Sequence, residues 1–216
     1  ELKDILKDER FSENGNEVCF VTIGDASTSE GFFWEVLNAA CVQQVPLIIN
    51  VWDDGYGISV PKELQTTKGS ISDVLKGFES TPEISSLKII KVNAWDYPAL
   101  IKTYKESIQE VREKHVPLLI HVEGMTQVQG HSTSGSHERY KSQERLDWEL
   151  EYDCNSQMRT WMLDKDLATV EELLLIETES KDFVKHEQKL AWEEFYGSIQ
   201  EEIKMAIDYL EALFEK

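Results

Sequence analysis

The chain has 216 residues, of which 41% are apolar and 29% are charged, and its formal net charge is −19. This length is enough for one α/β core and is short for two independent domains. The strongly acidic balance argues against nucleic acid and an anionic membrane surface as partners. The sequence also lacks a run of about 20 apolar residues, so we expect a soluble intracellular protein without a membrane span.

The chain contains three cysteines, Cys19, Cys41 and Cys154, and no C-x-x-C pairing. An odd number of cysteines favours free thiols over a disulfide framework. Cys19 and Cys41 lie in apolar runs, so we expect both side chains to be buried as free thiols in a reducing compartment.

The first predicted elements are a strand, a helix and a second strand. Residues 18–23 are a short apolar run rich in β-branched side chains, which predicts a buried strand ending at Gly24. Residues 30–43 carry apolar side chains at positions 33, 37, 40 and 41, which is the stripe of a helix packed on a sheet. Residues 47–52 are almost continuously apolar, as expected for a parallel strand covered on both faces. Together these segments predict a βαβ unit.

The same alternation continues along the chain. We predict a short helix over residues 70–78, a strand over 87–92, a helix over 96–114 and a strand over 117–122. The predicted fold class is therefore α/β, with a mostly parallel sheet and helices on both faces. We assign this α/β domain to residues 1–143.

No strand is predicted after residue 143, and we assign residues 144–216 to a helical C-terminal extension. Thr169 and Glu172 have the spacing of a capping box, which predicts the start of a helix. From Tyr196 to Leu213, apolar side chains recur at spacings of three and four residues. Such a stripe needs cover, which comes either from the sheet of the same chain or from a partner subunit.

Two aspartates follow the two strands of the βαβ unit, Asp25 after the first and Asp54 after the second. Ligands of open α/β sheets bind beyond the carboxyl ends of the strands, where both side chains are expected. Mg²⁺ prefers oxygen ligands and often combines one or two carboxylates with phosphates. The chain has neither G-x-x-x-x-G-K-[ST] nor G-x-G-x-x-G. On spacing alone, a magnesium-diphosphate site and ordinary turn or cap aspartates both remain open.

Residues 24–31 (GDASTSEG) and 53–59 (DDGYGIS) resemble the thiamine diphosphate motif of the 2-oxo acid dehydrogenases. The resemblance is closest to the α subunit, or α half of a fused chain, of their decarboxylating component. It implies the thiamine diphosphate-binding fold, with Mg²⁺ held by the side chains of Asp25 and Asp54 and by the backbone carbonyl of Tyr56. It also implies that the cofactor is contacted by Gly24, Asp25, Ala26, Ser27, Asp54 and Tyr56.

Two positions depart from the motif of that family. Ala26 stands where the family usually has glycine, and Asp54 stands where it usually has asparagine. Aspartate keeps the acceptor oxygen of asparagine and adds a negative charge, so metal binding by Asp54 is still expected.

A second motif, Gly130-His131-Ser132-Thr133-Ser134, follows the last predicted strand in a stretch rich in Gly, Ser and His that predicts a loop. It resembles the G-H-S-x-S loop of the same family. The resemblance implies that His131 contacts the cofactor and acts catalytically in acyl transfer to lipoyl, and histidine exchanges its proton near neutral pH. Some members are phosphorylated in this loop, and the sequence leaves open whether these serines are modified.

For the whole enzyme, the resemblance implies oxidative decarboxylation of a 2-oxo acid, dependent on thiamine diphosphate and Mg²⁺, with transfer of the acyl group to a lipoyl-bearing acyltransferase. The motifs are closest to the branched-chain, or 2-oxoisovalerate, type. The resemblance further implies an oligomeric full-length enzyme in the cytoplasm, or in the mitochondrial matrix of a eukaryote.

The family fold starts upstream of the equivalent of Phe11, and its pyrimidine-binding (β) domain or subunit supplies the carboxylate that activates the cofactor. We find no candidate for that carboxylate in this chain. We therefore interpret the chain as a fragment, truncated at its N-terminus, that is inactive alone.

Two alternatives remain at this stage. Another thiamine diphosphate enzyme, such as a transketolase-like one, shares the first motif but is expected to lack the histidine loop. A non-catalytic assembly module keeps the fold, while the altered residues Ala26 and Asp54 no longer support metal binding.

Overall fold

The computed structural model describes residues 15–131 and 137–214. These residues divide into two compact units, with the boundary between Thr160 and Trp161. The first unit contains the sheet and all the candidate site residues, and the second contains the long C-terminal helix. The domain boundary after residue 143 stays a prediction.

Four parallel strands form the central sheet of the first unit, in the order β1-β2-β6-β5. These strands are β1 (Cys19–Gly24), β2 (Leu47–Asp53), β5 (Lys88–Asn93) and β6 (Leu118–Glu123). A separate antiparallel hairpin consists of β3 (Tyr56–Gly57) and β4 (Val60–Pro61). The parallel pairing of β1 with β2 confirms the predicted βαβ unit.

The helices at Gly31–Gln43 and Tyr97–Lys114 occupy segments that the apolar periodicity predicts, whereas those at Gln143–Glu151 and Cys154–Asp164 were not predicted individually. The α-helices of the described residues are α1 (Gly31–Gln43), α2 (Ile71–Val74), α3 (Tyr97–Lys114), α4 (Gln143–Glu151), α5 (Cys154–Asp164) and α6 (Val170–Phe214). Short 3₁₀ segments are Ala26–Ser29, Lys62–Leu64, Thr67–Gly69, Leu75–Phe78 and His137–Arg139.

The core of the first unit lies on both faces of the sheet, because successive side chains of a strand point to opposite sides. In β2, Ile49 and Val51 pack in one cluster with Leu37 of α1. Ile48 packs in a second cluster with Val111 of α3. Helices therefore cover both faces, as predicted from the continuous apolar run of β2.

β1 is more exposed than its sequence predicts. Phe20 and Val21 are 47% and 38% exposed, and Cys19 is exposed as well. Among the described strands, β1 pairs with β2 alone and therefore lies at an edge of the sheet. The prediction that β1 and Cys19 are buried is wrong for this part of the chain, because an apolar run does not distinguish an edge strand from a central one. Cys41 is buried, as predicted, and all three thiols are free.

The second unit is dominated by α6. Its first turn contains the predicted capping box: the Thr169 N–H donates to the Glu172 carboxylate at 2.8 Å, and the Glu172 N–H donates to the Thr169 hydroxyl at 3.2 Å. Leu173 is buried, whereas Trp192 and Leu210 are among the exposed apolar side chains. The cover of the predicted apolar stripe stays a prediction. Within the described ranges, no helix is both long and apolar enough to cross a membrane.

Candidate functional site

The candidate site lies at the carboxyl edge of the sheet, where β1, β2 and β6 end side by side. Asp53 of β2 pairs with Glu123 of β6. The Asp25 N–H donates to the Trp52 carbonyl at 3.1 Å, and the Met125 N–H donates to the Asp53 carbonyl at 3.0 Å. These bonds attach the segments that follow β1 and β6 to the end of β2, at the edge where ligands of α/β sheets bind.

A pocket of about 340 Å³ opens at this edge and brings together all the site residues that the sequence predicts. Three apolar side chains add to its wall, namely Trp52, Ile58 and Met125. The predicted residues in the lining are Gly24, Asp25, Ala26, Ser27, Asp54, Tyr56 and His131. Their roles in binding and catalysis stay predictions.

Asp25 is buried, and its carboxylate lies among other acidic groups. Its backbone carbonyl accepts hydrogen bonds from the Thr28 N–H at 3.0 Å and from the Thr28 hydroxyl at 2.6 Å. Burial raises the pKa of Asp25 from 3.8 to about 7, and the carboxylates of Asp53 and Asp54 contribute to this increase. A bound cation would favour the charged form that this environment disfavours.

Asp54 presents an unsatisfied oxygen to the same pocket. Its Oδ1 accepts from the Tyr56 N–H at 3.2 Å, but its Oδ2 is buried without a hydrogen-bond partner among the described residues. The Nε2 of His131 lies 3.3 Å from that oxygen, outside hydrogen-bond geometry. Burial raises the pKa of Asp54, and Asp53 adds to the effect, whereas the Tyr56 N–H and the charges of His131 and Lys141 oppose it.

These features fit a hard divalent cation. Asp25 and Asp54 place two carboxylates of raised pKa at one pocket, and an orphaned buried acceptor in a native structure calls for a partner such as an ion. The described lining contains no lysine or arginine, although Lys141 acts on Asp54 from outside it. Carboxylate and carbonyl oxygens are the ligands that Mg²⁺ prefers, so the donor set of Asp25, Asp54 and the Tyr56 carbonyl suits that ion.

Asp53, the residue before Asp54, lies in a hydrogen-bonded network that the sequence did not predict. Its Oδ2 accepts from the Lys62 Nζ and from the His121 Nε2, each at 2.9 Å. The Nδ1 of His121 lies 2.6 Å from the hydroxyl of Ser72. Burial opposes ionisation of Asp53, but the bonds from His121 and Lys62 hold its pKa below the usual value.

This network is neither a catalytic triad that is open to substrate nor an empty metal site. Ser72, His121 and Asp53 are the residue types of a nucleophile, a base and an acid, but Ser72 is only 3% exposed and is closed to a substrate. Asp53, His121 and Glu123 also offer atoms within 4.8 Å of one another, as a metal site would. However, Lys62 and Ser72 already bond the facing atoms, so the network is satisfied without an ion.

Ala26, which stands where the family usually has glycine, lies next to Gly57 in the pocket wall. A Cβ atom on Gly57 would lie 2.9 Å from the Ala26 methyl group and 2.6 Å from the Gln65 side-chain amide. Real Cβ atoms do not approach other atoms so closely, and the Ala26 methyl cannot rotate away. Glycine at residue 57 therefore leaves the space next to the alanine at residue 26.

A second unpredicted feature is the cluster formed by Lys141, Arg145 and Glu149, which we call the α4 charge cluster. The Lys141 Nζ lies 2.8 Å from each carboxylate oxygen of Glu149, and the Arg145 Nε lies 2.8 Å from Glu149 Oε1. Arg145 also donates from Nη2 to the backbone carbonyl of Asp54 at 2.7 Å. The spacing of four residues, with opposite charges, is the sequence signal that indicates such a cluster.

The predicted histidine loop is described in part. His131 lines the pocket, and its side chain is 27% exposed. Ser132–Ser134, which complete the predicted motif, lie outside the described residues. The role of His131 in acyl transfer stays a prediction.

Comparison with known proteins places these motifs in a family context. The family model described as dehydrogenase E1 component matches residues 7–199. The chain is 25% identical over 170 residues to the pyruvate dehydrogenase E1 component subunit alpha of Rickettsia bellii, covering 79% of the chain and 49% of that protein. It is 31% identical over 160 residues to the 3-methyl-2-oxobutanoate dehydrogenase subunit alpha of Mycobacterium tuberculosis, covering 74% of the chain and 41% of that protein.

A plant relative gives a similar match. The chain is 30% identical over 149 residues to the mitochondrial 2-oxoisovalerate dehydrogenase subunit alpha 2 of Arabidopsis thaliana, covering 68% of the chain and 30% of that protein. The chain spans about half the length of the Rickettsia proteins that it matches. The family model covers most of the chain and includes the whole pocket lining. The chain therefore belongs to the dehydrogenase E1 component family.

Proposed function

We propose that this chain provides the magnesium and diphosphate half of the active site of a thiamine diphosphate-dependent 2-oxo acid dehydrogenase. The observation that carries the proposal is the meeting of Asp25 and Asp54 in one pocket, with a buried Asp54 oxygen that has no described hydrogen-bond partner. Family membership supports it, because the matched region contains both motifs.

In the proposed site, Mg²⁺ is held by the carboxylates of Asp25 and Asp54 and by the backbone carbonyl of Tyr56. The diphosphate lies along Gly24–Ser27, the segment that follows β1 and precedes α1. Thiamine diphosphate, when bound, supplies the electron sink for decarboxylation. His131 borders the same pocket, where its imidazole takes part in acyl transfer to lipoyl.

The proposed reaction needs groups that other proteins or domains supply. They are a pyrimidine-binding (β) domain or subunit with its activating carboxylate, a lipoyl-bearing acyltransferase and the 2-oxo acid. We propose an oligomeric enzyme that works in the cytoplasm or in the mitochondrial matrix. We expect the 216-residue chain alone to show no decarboxylase activity and weak or no cofactor binding.

We further propose a branched-chain 2-oxo acid as the substrate. The chain is 31% and 30% identical to relatives named for 3-methyl-2-oxobutanoate and 2-oxoisovalerate, and 25% identical to a relative named for pyruvate. These identities support the branched-chain type. Comparing kcat/KM for 3-methyl-2-oxobutanoate and pyruvate in the assembled enzyme tests this assignment, and a preference for pyruvate contradicts it.

Calorimetric titration of the assembled enzyme with Mg²⁺ and thiamine diphosphate tests the site itself. We expect Asp25→Ala to abolish cofactor binding, because one of the two metal carboxylates is lost. Glu106→Ala is a matched control, since this carboxylate is exposed on α3. Equal binding by wild type and Asp25→Ala contradicts the proposed site, and absence of binding by wild type favours a non-catalytic assembly module.

A further inference from the structure

The segment Asp54–Tyr56, which carries two of the proposed metal ligands, accepts a hydrogen bond from an arginine of α4. The carbonyl of Asp54 accepts a hydrogen bond from the Arg145 Nη2 at 2.7 Å. The next carbonyl, that of Gly55, accepts from the Lys62 N–H at 2.9 Å. Lys62 is close to this segment in sequence, whereas Arg145 belongs to α4 and is far from it in sequence. A side chain of a distant helix thus contributes to the backbone conformation at Asp54.

Arg145 is itself fixed by a buried carboxylate. Its Nε lies 2.8 Å from Glu149 Oε1, and Glu149 is 1% exposed. The planar guanidinium bonds Glu149 through one nitrogen and the Asp54 carbonyl through another, which a lysine cannot reproduce. Lys141 bonds both oxygens of Glu149, so the buried carboxylate keeps a partner without Arg145. Arg145 is therefore available for a task other than charge compensation.

The same side chains surround the ring of Tyr56, the third proposed metal ligand. The Lys141 Nζ lies 5.2 Å from the centre of this ring, and the Arg145 guanidinium carbon lies 5.6 Å from it. The ring of Tyr140 packs against it with centroids 5.6 Å apart. Cations over an aromatic face are attracted to it, so these contacts restrain Tyr56. The α4 charge cluster thus acts at both ends of the Asp54–Tyr56 turn.

Lys141 also contacts one residue on each side of His131 in the sequence. Its backbone N–H donates to the His137 carbonyl at 2.9 Å, and its Nζ lies 3.5 Å from the Gln127 carbonyl. His137 and Gln127 lie on opposite sides of His131 in the sequence. One buried lysine therefore contacts Gln127, His137 and Glu149.

We propose that Arg145 is a positioning residue, which holds the Asp54–Tyr56 turn in the orientation that metal binding requires through its bond to the Asp54 carbonyl. The claim that Arg145 affects metal affinity rests on the proposed function. The claim that Arg145 stabilises the conformation of the turn does not. Partners that orient metal ligands typically change metal affinity about 10–100-fold when removed.

Amide hydrogen exchange and calorimetry on Arg145→Met test the two parts separately. Methionine keeps an unbranched apolar stem but removes the charge and the donors. The N–H groups of Gly55 and Tyr56 report on the turn, because they donate to the side chains of Asp53 and Asp54. Arg112→Met is the matched control, since Arg112 donates to the Asn16 carbonyl at 2.9 Å and lies outside the pocket.

In Arg145→Met we expect amide exchange at Gly55 and Tyr56 in the metal-free protein to become about 10-fold faster, with α4 and the melting temperature little changed. In the assembled enzyme we expect binding of Mg²⁺ with thiamine diphosphate to weaken about 10-fold, and Arg145→Lys to restore part of the loss. Arg112→Met should change neither quantity.

Turn exchange in Arg145→Met equal to that in Arg112→Met overturns the inference. So does faster exchange spread evenly through α4, which indicates a general structural role. If Arg145→Met fails to fold, the same comparison is made with Arg145→Lys, which keeps the charge. If wild type binds no Mg²⁺ or thiamine diphosphate while turn exchange responds as expected, the proposed function fails and the hold on the turn stands.

Discussion

Asp53 and Asp54 are neighbours in sequence but lie in opposite environments at the end of β2. Asp53 accepts hydrogen bonds from Lys62 and His121, and its pKa lies below the usual value. Asp54 keeps one buried oxygen without a described hydrogen-bond partner, and burial raises its pKa. The comparison separates a carboxylate whose hydrogen bonds the protein satisfies from one with an oxygen that has no described partner, as the proposed metal site requires.

Strand geometry explains why adjacent residues differ so much. Side chains alternate between the two faces of a sheet, so Asp53 shares a face with Val51 of the core cluster. There it bonds His121, which in turn contacts Ser72 of α2. Asp54 comes after the last residue of β2 and lines the pocket at the sheet edge. One step along the chain therefore separates a structural network from the proposed metal site.

Substituting Asp53 tests the difference between Asp53 and Asp54 most directly. We expect Asp53→Ala to lower the free energy of unfolding by about 3 kcal/mol, because Lys62 and His121 lose a buried acceptor. Urea denaturation at pH 7 measures this. Asp73→Ala, which removes an exposed ion pair with Lys76, is the control and should cause no measurable change. Wild-type stability of Asp53→Ala contradicts the structural role.

The pH dependence of stability tests the pocket that Asp54 shares with Asp25. Because the pKa of folded Asp25 is raised from 3.8 to about 7, the stability that its proton confers is present below pH 4 and is lost as the pH rises to 7. Asn cannot ionise, so the advantage of metal-free Asp25→Asn over wild type should grow by about 3 kcal/mol between pH 5 and pH 8.

Denaturation curves in the presence of a chelator measure this difference. Asp147→Asn serves as the control, because this aspartate is exposed on α4. A constant difference between Asp25→Asn and wild type across this pH range contradicts the raised pKa of Asp25, which burial causes and the carboxylates of Asp53 and Asp54 increase.

The packing of Ala26 against Gly57 gives a smaller effect. We expect Gly57→Ala to cost about 1–2 kcal/mol, because its Cβ atom meets the Ala26 methyl group at 2.9 Å. Ala26→Gly in the same protein should recover about 1 kcal/mol, giving a coupling between contacting residues. A double-mutant cycle measured by thermal unfolding tests this, and strictly additive changes contradict the proposed compensation.

The smallest change is expected for Asp54→Asn. The amide keeps an acceptor oxygen, so the affinity for Mg²⁺ with thiamine diphosphate should change by less than about 10-fold. Asp54→Ala removes the ligand and should abolish binding. Calorimetry of the two variants in the assembled enzyme distinguishes them, and equal losses mean that the charge of Asp54 is indispensable.

Much of the fold follows from periodicity. The apolar run at residues 47–52 became the buried β2, and the stripe at Phe33 and Leu37 became the buried face of α1. The position of Asp25 and Asp54 after parallel strands was enough to predict that they share a pocket, because such ends meet at one edge. Local pattern and strand direction carry this part of the prediction.

Other features depend on contacts between distant segments. The sequence does not indicate that Ser72 meets His121, or that Arg145 reaches the Asp54 carbonyl, because nothing local brings these residues together. The exposure of Phe20 was missed for the same reason, since burial of β1 depends on the strands beside it. The buried position of Asp53 was not predicted either. Asp53 lies two residues after Val51 in β2, so both side chains point to the same core-facing side of the sheet.

The most direct test of the central claim is a crystal structure of the assembled enzyme with Mg²⁺ and thiamine diphosphate. We predict an ion about 2.1 Å from a carboxylate oxygen of Asp25, from one of Asp54 and from the Tyr56 carbonyl, with the diphosphate completing its coordination. Density for the cofactor at another place, or an Asp54 carboxylate that still faces His131 without a metal, contradicts the account.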